Sequence, residues 1–366
     1  MKIVIDDKIP FIKGVFEPYA EVVYVGGAAF NAEMVRDADA LVIRTRTKCN
    51  AALLDGSSVR FIATATIGHD HIDKSYCAEK GIKWTNAPGC NSGSVMQYIA
   101  SVLSVLQLRN GIDVKKQTIG IVGVGNVGSK VEKLCRNIGM NVLLCDPPRQ
   151  EREVGDFVDF ETILENADII TFHVPLDYDS DYPTFHMLND VSFKKLKKAP
   201  VVINSSRGEV VKTESIKKAL RDELISKAVL DVWENEPEID NDLLNEVLIG
   251  TPHIAGYSVD GKVNGTTMSV HAISNFFNLP LKSWYPDMVP GAEINELELK
   301  GNNIFEVFLQ TYDVEIDSDK LKYAPEKFEF FRGSYPVRRE FGFFNVKTKN
   351  NSEELLTWIK NFGFNV

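Results

Sequence analysis

The stretch Gln117-Thr-Ile-Gly-Ile-Val-Gly123-Val-Gly125-Asn-Val-Gly128 decides the fold of this chain. Residues 118–122 are apolar and β-branched, which is typical of a buried parallel strand. The glycine spacing predicts a turn in which the first glycine bends the chain, the second lets a pyrophosphate approach the backbone, and the third lets the next helix pack on the strand. The free N–H groups at the start of that helix favour a bound diphosphate.

The residues after the turn indicate which dinucleotide binds. A predicted helix over 129–138 and a second apolar strand over 141–145 lead to Asp146, eighteen residues after Gly128. A carboxylate at about this distance hydrogen-bonds a ribose 2′-hydroxyl and repels a 2′-phosphate, so we expect NAD rather than NADP. Arg149 is the one feature that favours NADP, because an arginine here could receive the extra phosphate.

Composition and charge argue against several classes of protein. The chain has 366 residues, of which 44% are hydrophobic and 25% charged, as in ordinary globular proteins. Its net charge of −10 disfavours nucleic acid as a partner, since such binders need a basic surface. The five cysteines have no C-x-x-C spacing, and we see no leader and no apolar run of about eighteen residues. We therefore expect a cytoplasmic protein with no membrane partner.

Strands alternate with helices along most of the chain, which predicts an α/β fold. We expect two doubly wound domains of the Rossmann or flavodoxin type with a cleft between them, joined by a long apolar helix over 95–108, and a small C-terminal α+β domain. Residues 1–93 and 258–280 are predicted to form a substrate-binding lid domain. Residues 94–257 are predicted to form the NAD-binding domain, and residues 281–366 the C-terminal domain.

Two predicted strand ends in the first domain are polar. Arg44-Thr45-Arg46-Thr-Lys48 carries three positive charges in five residues, which suits a doubly charged anion such as a phosphate. The alternative is a solvated strand exit. The second strand end contains His69 and His71, but no third ligand has a convincing spacing, so we expect no metal site.

Three charged residues downstream of the turn suggest catalysis. Arg207, Glu236 and His253 each follow a predicted strand of the parallel sheet. Oxidation of a 2-hydroxy acid needs a base for the hydroxyl proton, a cation for the carboxylate and an acid that orients the base. Histidine titrates near neutral pH and suits the base, arginine offers a planar fork to the carboxylate, and Glu236 is the candidate that orients the imidazole.

Together with Gly123–Gly128 and Asp231-Val-Trp-Glu, these three residues resemble the D-isomer-specific 2-hydroxyacid dehydrogenase family. The resemblance runs through most of residues 1–280 and is closest to the subfamily that acts on 4-phospho-D-erythronate in vitamin B6 biosynthesis. The segments that carry it are Thr64-Ala-Thr66, Asn86-Ala-Pro-Gly-Cys-Asn91, Gly120–Gly128, Leu144-Cys-Asp146-Pro-Pro-Arg149 and Gly250-Thr-Pro-His-Ile-Ala-Gly-Tyr257.

The resemblance implies NAD-linked oxidation of 4-phospho-D-erythronate to 2-oxo-3-hydroxy-4-phosphobutanoate, on the way to pyridoxal 5′-phosphate. It implies substrate contacts at Thr45, Thr66 and Tyr257, beside the cations Arg44 and Arg46. It implies cofactor contacts at Asn126, Val127, Asp146, Asp231 and Gly256, in addition to the glycines of the turn. Val174 stands where the family's strand-end His-x-Pro-Leu motif would have threonine, so a side-chain hydrogen bond to the cofactor is lost there although a backbone contact can persist.

The region after residue 280 has little visible chemistry and is predicted to be an association surface. Residues 297–299 and 341–346 are predicted strands. A predicted helix over 352–361 begins with a possible capping box of Asn351 and Glu354.

The same region is predicted to form a homodimer. The resembling subfamily pairs through it, and isologous pairing is the commonest oligomer. We further hypothesise that Arg338 or Arg339 approaches the partner subunit's phosphate site. The alternative is an exposed pair of surface cations.

Two other functions stay open on the sequence. The first is a related dehydrogenase that acts on another phosphorylated 2-hydroxy acid, such as 3-phosphoglycerate. The second is a non-catalytic binding protein that senses NAD, against which the intact set of arginine, glutamate and histidine argues.

Overall fold

A computed structural model describes residues 1–301, 303–349 and 352–366 of the chain. The chain divides into two units, and each of them combines two segments that are distant in sequence. The first unit contains Met1–Asn91 and Ser258–Pro290, and the second contains Ser92–Tyr257 and Gly291–Val366. No helix in the described part of the chain is both long enough and apolar enough to span a lipid bilayer.

The first unit is built on a parallel sheet of five strands. Its elements are β1 Lys2–Asp6, β2 Glu21–Val25, α1 Ala32–Val35, β3 Ala40–Ile43, α2 Ala51–Leu54, β4 Phe61–Thr64, α3 Lys74–Lys80, β5 Lys83–Thr85 and the late helix α11 Val259–Phe277. The strand order β2-β1-β3-β4-β5 is the flavodoxin-like order. The predicted alternation of parallel strands and helices is therefore confirmed for this unit.

Alternate strand residues of the first unit are buried in two separate cores, one on each face of the sheet. Leu41 and Ile43 belong to one core, whereas Ala40 and Val42 belong to the other with Val270 of α11. Burial on both faces explains why these strands are continuously apolar.

The second unit contains a parallel sheet of six strands and most of the helices. Its elements up to residue 257 are α4 Ser92–Arg109, β6 Thr118–Val122, α5 Gly128–Ile138, β7 Asn141–Cys145, α6 Pro147–Gln150, α7 Phe160–Asn166, β8 Ile169–Phe172, α8 Asp190–Phe193, β9 Val201–Asn204, α9 Thr213–Arg221, β10 Lys227–Leu230, α10 Asn241–Glu246 and β11 Ile249–Gly250. The strand order is β11-β10-β9-β8-β6-β7. The chain changes direction across the sheet between β6 and β8, and ligands of such sheets bind beyond the carboxyl ends of the strands at this point.

The C-terminal segment of the second unit shares a hydrophobic core with α4. Its elements are β12 Glu296–Leu299, α12 Ile304–Thr311, α13 Val314–Tyr323, α14 Phe328–Gly333, β13 Asn345–Thr348 and α15 Glu353–Asn361. Phe305 and Phe308 are buried in the same core as Tyr98 and Leu103 of α4. The structure thus groups residues 291–366 with the preceding sheet, and the predicted three-domain division stays a prediction.

Two details of the C-terminal segment differ from the predictions. The strand predicted over 341–346 begins as a 3-10 turn at Phe341–Phe343, and the strand itself is Asn345–Thr348. The Phe341 ring is stacked on Phe308, with ring centroids 5.2 Å apart, so this residue packs as part of an aromatic cluster instead of pairing in a strand.

Asn351 of the predicted capping box lies outside the described residues. The Ser352 hydroxyl accepts a hydrogen bond from the Leu355 N–H at 3.4 Å and begins α15.

Candidate active site

The glycine turn joins β6 to α5 as the sequence predicts. Gly123 has φ of +85°, which is left-handed backbone, and a Cβ atom there would lie 2.6 Å from the His173 carbonyl oxygen. A Cβ atom on Gly128 would overlap the Gly123 carbonyl oxygen, so only glycine allows this close approach of helix and turn. A Cβ atom on Gly125 would meet no protein atom within 4 Å. The turn therefore has one open face, where a pyrophosphate can approach the backbone.

Asp146 follows β7 and holds the turn. Its Oδ2 accepts a hydrogen bond from the Val124 N–H at 2.8 Å, and its Oδ1 accepts one from the Arg149 N–H at 3.0 Å. The Arg149 guanidinium donates to the Val124 carbonyl oxygen at 2.7 Å and to Glu153 at 2.9 Å. Because the Arg149 guanidinium is hydrogen-bonded within the protein, it is less available to bind the 2′-phosphate of NADP. The glycines and this carboxylate fit a dinucleotide with an unmodified ribose.

Four further predicted cofactor residues lie on loops of the second unit. Asn126 is exposed and Val127 is half-buried at the start of α5. Val174 follows β8, and its Cγ1 would lie 2.8 Å from a Cβ atom on Gly123, so it packs on the turn itself. Gly256 is half-buried and follows the loop after β11. Their contacts with the cofactor stay predictions.

Glu236 and His253 form a hydrogen-bonded pair. Glu236 Oε2 lies 2.7 Å from His253 Nδ1, and Glu236 Oε1 accepts the Trp233 N–H at 3.0 Å. With the proton on Nδ1, this contact leaves the Nε2 atom of the imidazole as an acceptor. Burial alone would raise the pKa of Glu236, but the hydrogen bond and charge of His253, the Trp233 N–H and the Arg332 guanidinium together hold that pKa below its usual value. The carboxylate therefore stays ionised beside the imidazole.

The backbone at His253 is unusual. Its φ is +55°, in the left-handed region that only a few per cent of residues other than glycine adopt. Its N–H donates to the Asp231 carbonyl oxygen at 2.7 Å and to the Thr251 carbonyl oxygen at 3.0 Å. Strained residues of this kind concentrate at functional sites, where the surrounding structure fixes them.

Asp231 supports the loop that carries His253. This side chain is 1% exposed, and its carboxylate accepts hydrogen bonds from the Thr251 hydroxyl at 2.7 Å, the Ile254 N–H at 2.8 Å and the Ala255 N–H at 2.9 Å. Burial raises the pKa of Asp231, although the His253 charge and these hydrogen bonds oppose that rise. In this structure Asp231 acts on the loop, and its predicted contact with the cofactor stays a prediction.

Replacing Asp231 by asparagine is expected to lower the free energy of unfolding by about 2–4 kcal/mol. The amide keeps one acceptor but turns an NH₂ group towards a backbone N–H, so at least one buried hydrogen bond is lost. Urea unfolding followed by circular dichroism measures the change. Asp242→Asn is the matched control, because the Asp242 side chain is 86% exposed and should change stability by less than about 0.5 kcal/mol. Equal stability of the two variants would contradict the proposed support role.

Arg207 completes the predicted catalytic set. It lies in the loop after β9, its Nη1 donates to the Ser206 carbonyl oxygen at 2.8 Å, and its own carbonyl oxygen accepts the Asn204 amide at 2.8 Å. Since β9, β10 and β11 are neighbours in one parallel sheet, the loops that carry Arg207, Glu236 and His253 leave the same edge of that sheet. The catalytic roles of the three residues stay predictions.

The predicted phosphate-binding stretch lies in the first unit. Arg44 follows β3 and places its fork on the buried Asp6, with Nε 3.1 Å from Oδ2 and Nη2 3.2 Å from Oδ1. Much of its hydrogen-bonding capacity is therefore used inside the protein. Thr45 and Arg46 are exposed beside it. The Thr66 hydroxyl is 2.7 Å from the Thr64 hydroxyl and donates to the Gly68 carbonyl oxygen at 3.0 Å.

The C-terminal segment supports the loop that carries His253, and no sequence motif indicates this contact. Arg338 is 4% exposed, and its Nη2 donates to the Ala255 carbonyl oxygen at 2.5 Å, two residues from His253. Because this side chain is buried in its own chain, the hypothesis that it approaches a partner's phosphate site is not supported for Arg338. Arg339 is half-buried over the Phe343 ring, with its Cζ 4.2 Å from the ring centroid.

Tyr257 and Arg332 also meet in the second unit. The Arg332 Cζ atom lies 5.9 Å from the centroid of the Tyr257 ring, and Tyr335 contacts the same ring edge-on at 5.9 Å. No spacing signal marks Arg332, which stands in the aromatic run Phe328-Glu-Phe-Phe-Arg-Gly.

Comparison with known sequences shows which protein family the chain belongs to. Residues 102–255 match the sequence family described as D-isomer specific 2-hydroxyacid dehydrogenase, NAD binding domain. The erythronate-4-phosphate dehydrogenase of Bacteroides fragilis is 52% identical over 94% of this chain and 99% of its own length. The erythronate-4-phosphate dehydrogenase of Porphyromonas gingivalis is 40% identical over 94% of this chain and 95% of its own length.

A solved structure supports the fold. The structure of the cofactor (NAD+)-bound 3-phosphoglycerate dehydrogenase of Entamoeba histolytica superposes with a TM-score of 0.65 at 24% identity, covering 79% of this chain and 99% of the other. The parallel α/β architecture is thus confirmed. The chain belongs to the D-isomer-specific 2-hydroxyacid dehydrogenase family, in the branch of the erythronate-4-phosphate dehydrogenases.

Proposed function

We propose that the protein is an NAD-dependent dehydrogenase that oxidises 4-phospho-D-erythronate at C2 to 2-oxo-3-hydroxy-4-phosphobutanoate, in the biosynthesis of pyridoxal 5′-phosphate. The observation that carries the proposal is the 52% identity over nearly the whole chain to a relative named for this reaction. The pairing of Glu236 with His253 supports it from the structure, because a base held in one tautomer is what the oxidation needs.

The mechanism follows from the loops at the edge of the second sheet. Bound NAD would supply the acceptor for the hydride from C2 of the substrate. His253 Nε2 takes the proton of the C2 hydroxyl, and Glu236 stabilises the imidazolium that forms and fixes its orientation. Arg207 holds the substrate carboxylate with its planar fork and polarises the carbonyl group that develops at C2.

The residues that would hold the cofactor surround the glycine turn. The open face at Gly125 and the N–H groups at the start of α5 would take the pyrophosphate, and Asp146 would accept hydrogen bonds from the ribose hydroxyls. The remaining proposed contacts are Gly123, Asn126, Val127, Gly128, Val174, Asp231 and Gly256.

The first unit is proposed to supply the substrate phosphate site and to act as the lid domain. Arg44, Thr45, Arg46 and Thr66 are the proposed contacts there, and Tyr257 is the proposed contact in the second unit. The Arg44 guanidinium is forked on Asp6, so it would meet the phosphate with its remaining N–H groups. We also propose a cytoplasmic homodimer that pairs through the C-terminal region.

A substrate panel tests the function. NAD is the oxidant and NADH absorbance the readout. We expect 4-phospho-D-erythronate to give a kcat/KM at least about tenfold above that for unphosphorylated erythronate, because a phosphate held by an arginine contributes more than about 1.4 kcal/mol. We expect a similar preference over 3-phosphoglycerate, because its phosphate lies one carbon nearer to the carboxylate and cannot reach the same contacts with the reacting C2 in place. NADP in place of NAD is expected to react poorly.

Other results of the panel would select the alternatives. A preference for 3-phosphoglycerate would assign the protein to another dehydrogenase of the same family. Tight NADH binding without oxidation of any 2-hydroxy acid would indicate an NAD-sensing protein.

A further inference from the structure

Arg332 brings a positive charge from the C-terminal segment towards the predicted catalytic pair. It lies in α14, outside the residues 102–255 that match the NAD-binding family. Its side chain is 25% exposed, and its Nε atom is buried without a hydrogen-bond partner among the described residues. A guanidinium that is largely removed from water needs opposite charge or acceptors nearby, because burying an unpaired charge is costly.

The groups around Arg332 belong to the site and to its own helix. Its Nη1 lies 3.3 Å from Glu329 Oε1, within α14. Its Cζ atom lies 5.9 Å from the centroid of the Tyr257 ring, and its charge interacts with that of the Glu236 carboxylate. Arg332 therefore contacts a predicted substrate residue and interacts electrostatically with a predicted catalytic carboxylate.

The charge of Arg332 acts on the Glu236–His253 pair with a definite sign. Two further carboxylates lie in this part of the described chain: Asp231 interacts with the charge of His253, and Glu329 forms an ion pair with Arg332. A cation disfavours the uptake of protons by every group near it. Because Glu236 and His253 are hydrogen-bonded at 2.7 Å, removing the nearby guanidinium should let this pair take up a proton at a higher pH.

We propose that Arg332 is a positioning residue for the proposed oxidation, which holds the Tyr257 side chain against substrate and keeps the Glu236–His253 pair ready to accept a proton. The inference rests on the proposed function. It makes the C-terminal segment part of the active site within one chain, in addition to any role in association.

Two substitutions separate the charge of Arg332 from its geometry. Arg332→Met removes the charge, and we expect the midpoint of the acidic limb of the pH profile of kcat/KM to rise by about half a pH unit or more. We also expect KM to rise about tenfold, because the contact with Tyr257 is lost. Arg332→Lys keeps the charge and should leave the midpoint within about 0.2 units of the wild-type value. It should still raise KM, since an ammonium group does not reproduce the planar fork.

The controls distinguish this proposal from a structural effect and from failure of the proposed function. Arg221→Met removes an exposed arginine of α9 and should change neither the midpoint nor KM. An equal loss of kcat in both Arg332 variants, with no shift of the limb, would overturn the proposal.

A second measurement does not depend on turnover. The imidazole resonance of His253, identified by its loss in His253→Asn, is followed against pH by NMR in wild type, Arg332→Met and Arg332→Lys. An upward shift in Arg332→Met alone supports the proposal even for a protein that oxidises nothing in the panel. Identical titration of the three proteins would overturn it even when the wild type is an active dehydrogenase.

Discussion

Replacing His253 by asparagine is expected to lower kcat/KM for oxidation of the 2-hydroxy acid about 10³-fold, which is a typical loss when a general base is removed. Asparagine is the informative choice because the backbone at this position has φ of +55°, and asparagine adopts left-handed backbone more readily than alanine or glutamine. The fold should therefore survive the change. Steady-state kinetics measure the loss, and fluorescence titration with NADH should show cofactor affinity unchanged.

The chain offers a matched control for this substitution. His186 also has left-handed backbone, with φ of +49°, and its Nε2 lies 2.7 Å from Glu234 Oε1. His186→Asn therefore removes a histidine–glutamate pair of the same length from a similar backbone, without touching the proposed base. We expect kcat/KM within about threefold of the wild-type value. A comparable loss in both variants would mean that the Glu236–His253 pair supports structure and not proton transfer.

Replacing Gly128 by alanine is expected to destabilise the second unit by about 3 kcal/mol and to abolish measurable NADH binding. The added Cβ would overlap the Gly123 carbonyl oxygen, which is backbone and cannot rotate away, so α5 would have to move from the strand end. The N–H groups at the start of α5 would then leave the position in which they meet a diphosphate. Urea unfolding and NADH fluorescence titration give the two quantities.

Gly125→Ala separates binding from stability at the same turn. Its Cβ would meet no protein atom within 4 Å, so the free energy of unfolding should change by less than about 1 kcal/mol. The methyl group would instead occupy the open face of the turn, and we expect NADH affinity to fall about tenfold or more. Unchanged affinity in Gly125→Ala would show that the pyrophosphate does not bind at this face.

The parallel strands could be predicted because burial on both faces leaves continuous apolar runs. The strands predicted over residues 118–122 and 141–145 have the same bounds in the structure. The C-terminal segment was harder to predict, since its helices bury aromatic residues against α4 as well as against one another. Phe305 and Phe308 of α12 share a core with Tyr98 and Leu103, which lie about 200 residues earlier in the chain, and no local periodicity indicates such a partner.

Some contacts of the candidate site could likewise be predicted from the sequence, and others could not. The contact between Glu236 and His253 could be predicted because both residues follow neighbouring parallel strands, whose carboxyl ends meet at one edge. The contacts of Arg332 and Arg338 with the site could not be predicted, because both residues lie in an aromatic-rich C-terminal segment that has no motif spacing. The ion pair of Arg44 could not be predicted either, because the buried Asp6 that holds its fork lies 38 residues upstream; its contact with phosphate stays a prediction.

The core that α4 shares with residues 291–366 limits how this enzyme can be divided. An isolated nucleotide-binding fragment that stopped at Tyr257 would leave the apolar faces of α4 in water, and a large apolar surface of that kind promotes aggregation. The tail is therefore a poor candidate for exchange between relatives as an independent module. Grafting it onto a shorter dehydrogenase would require α4 of the recipient to be redesigned along with it.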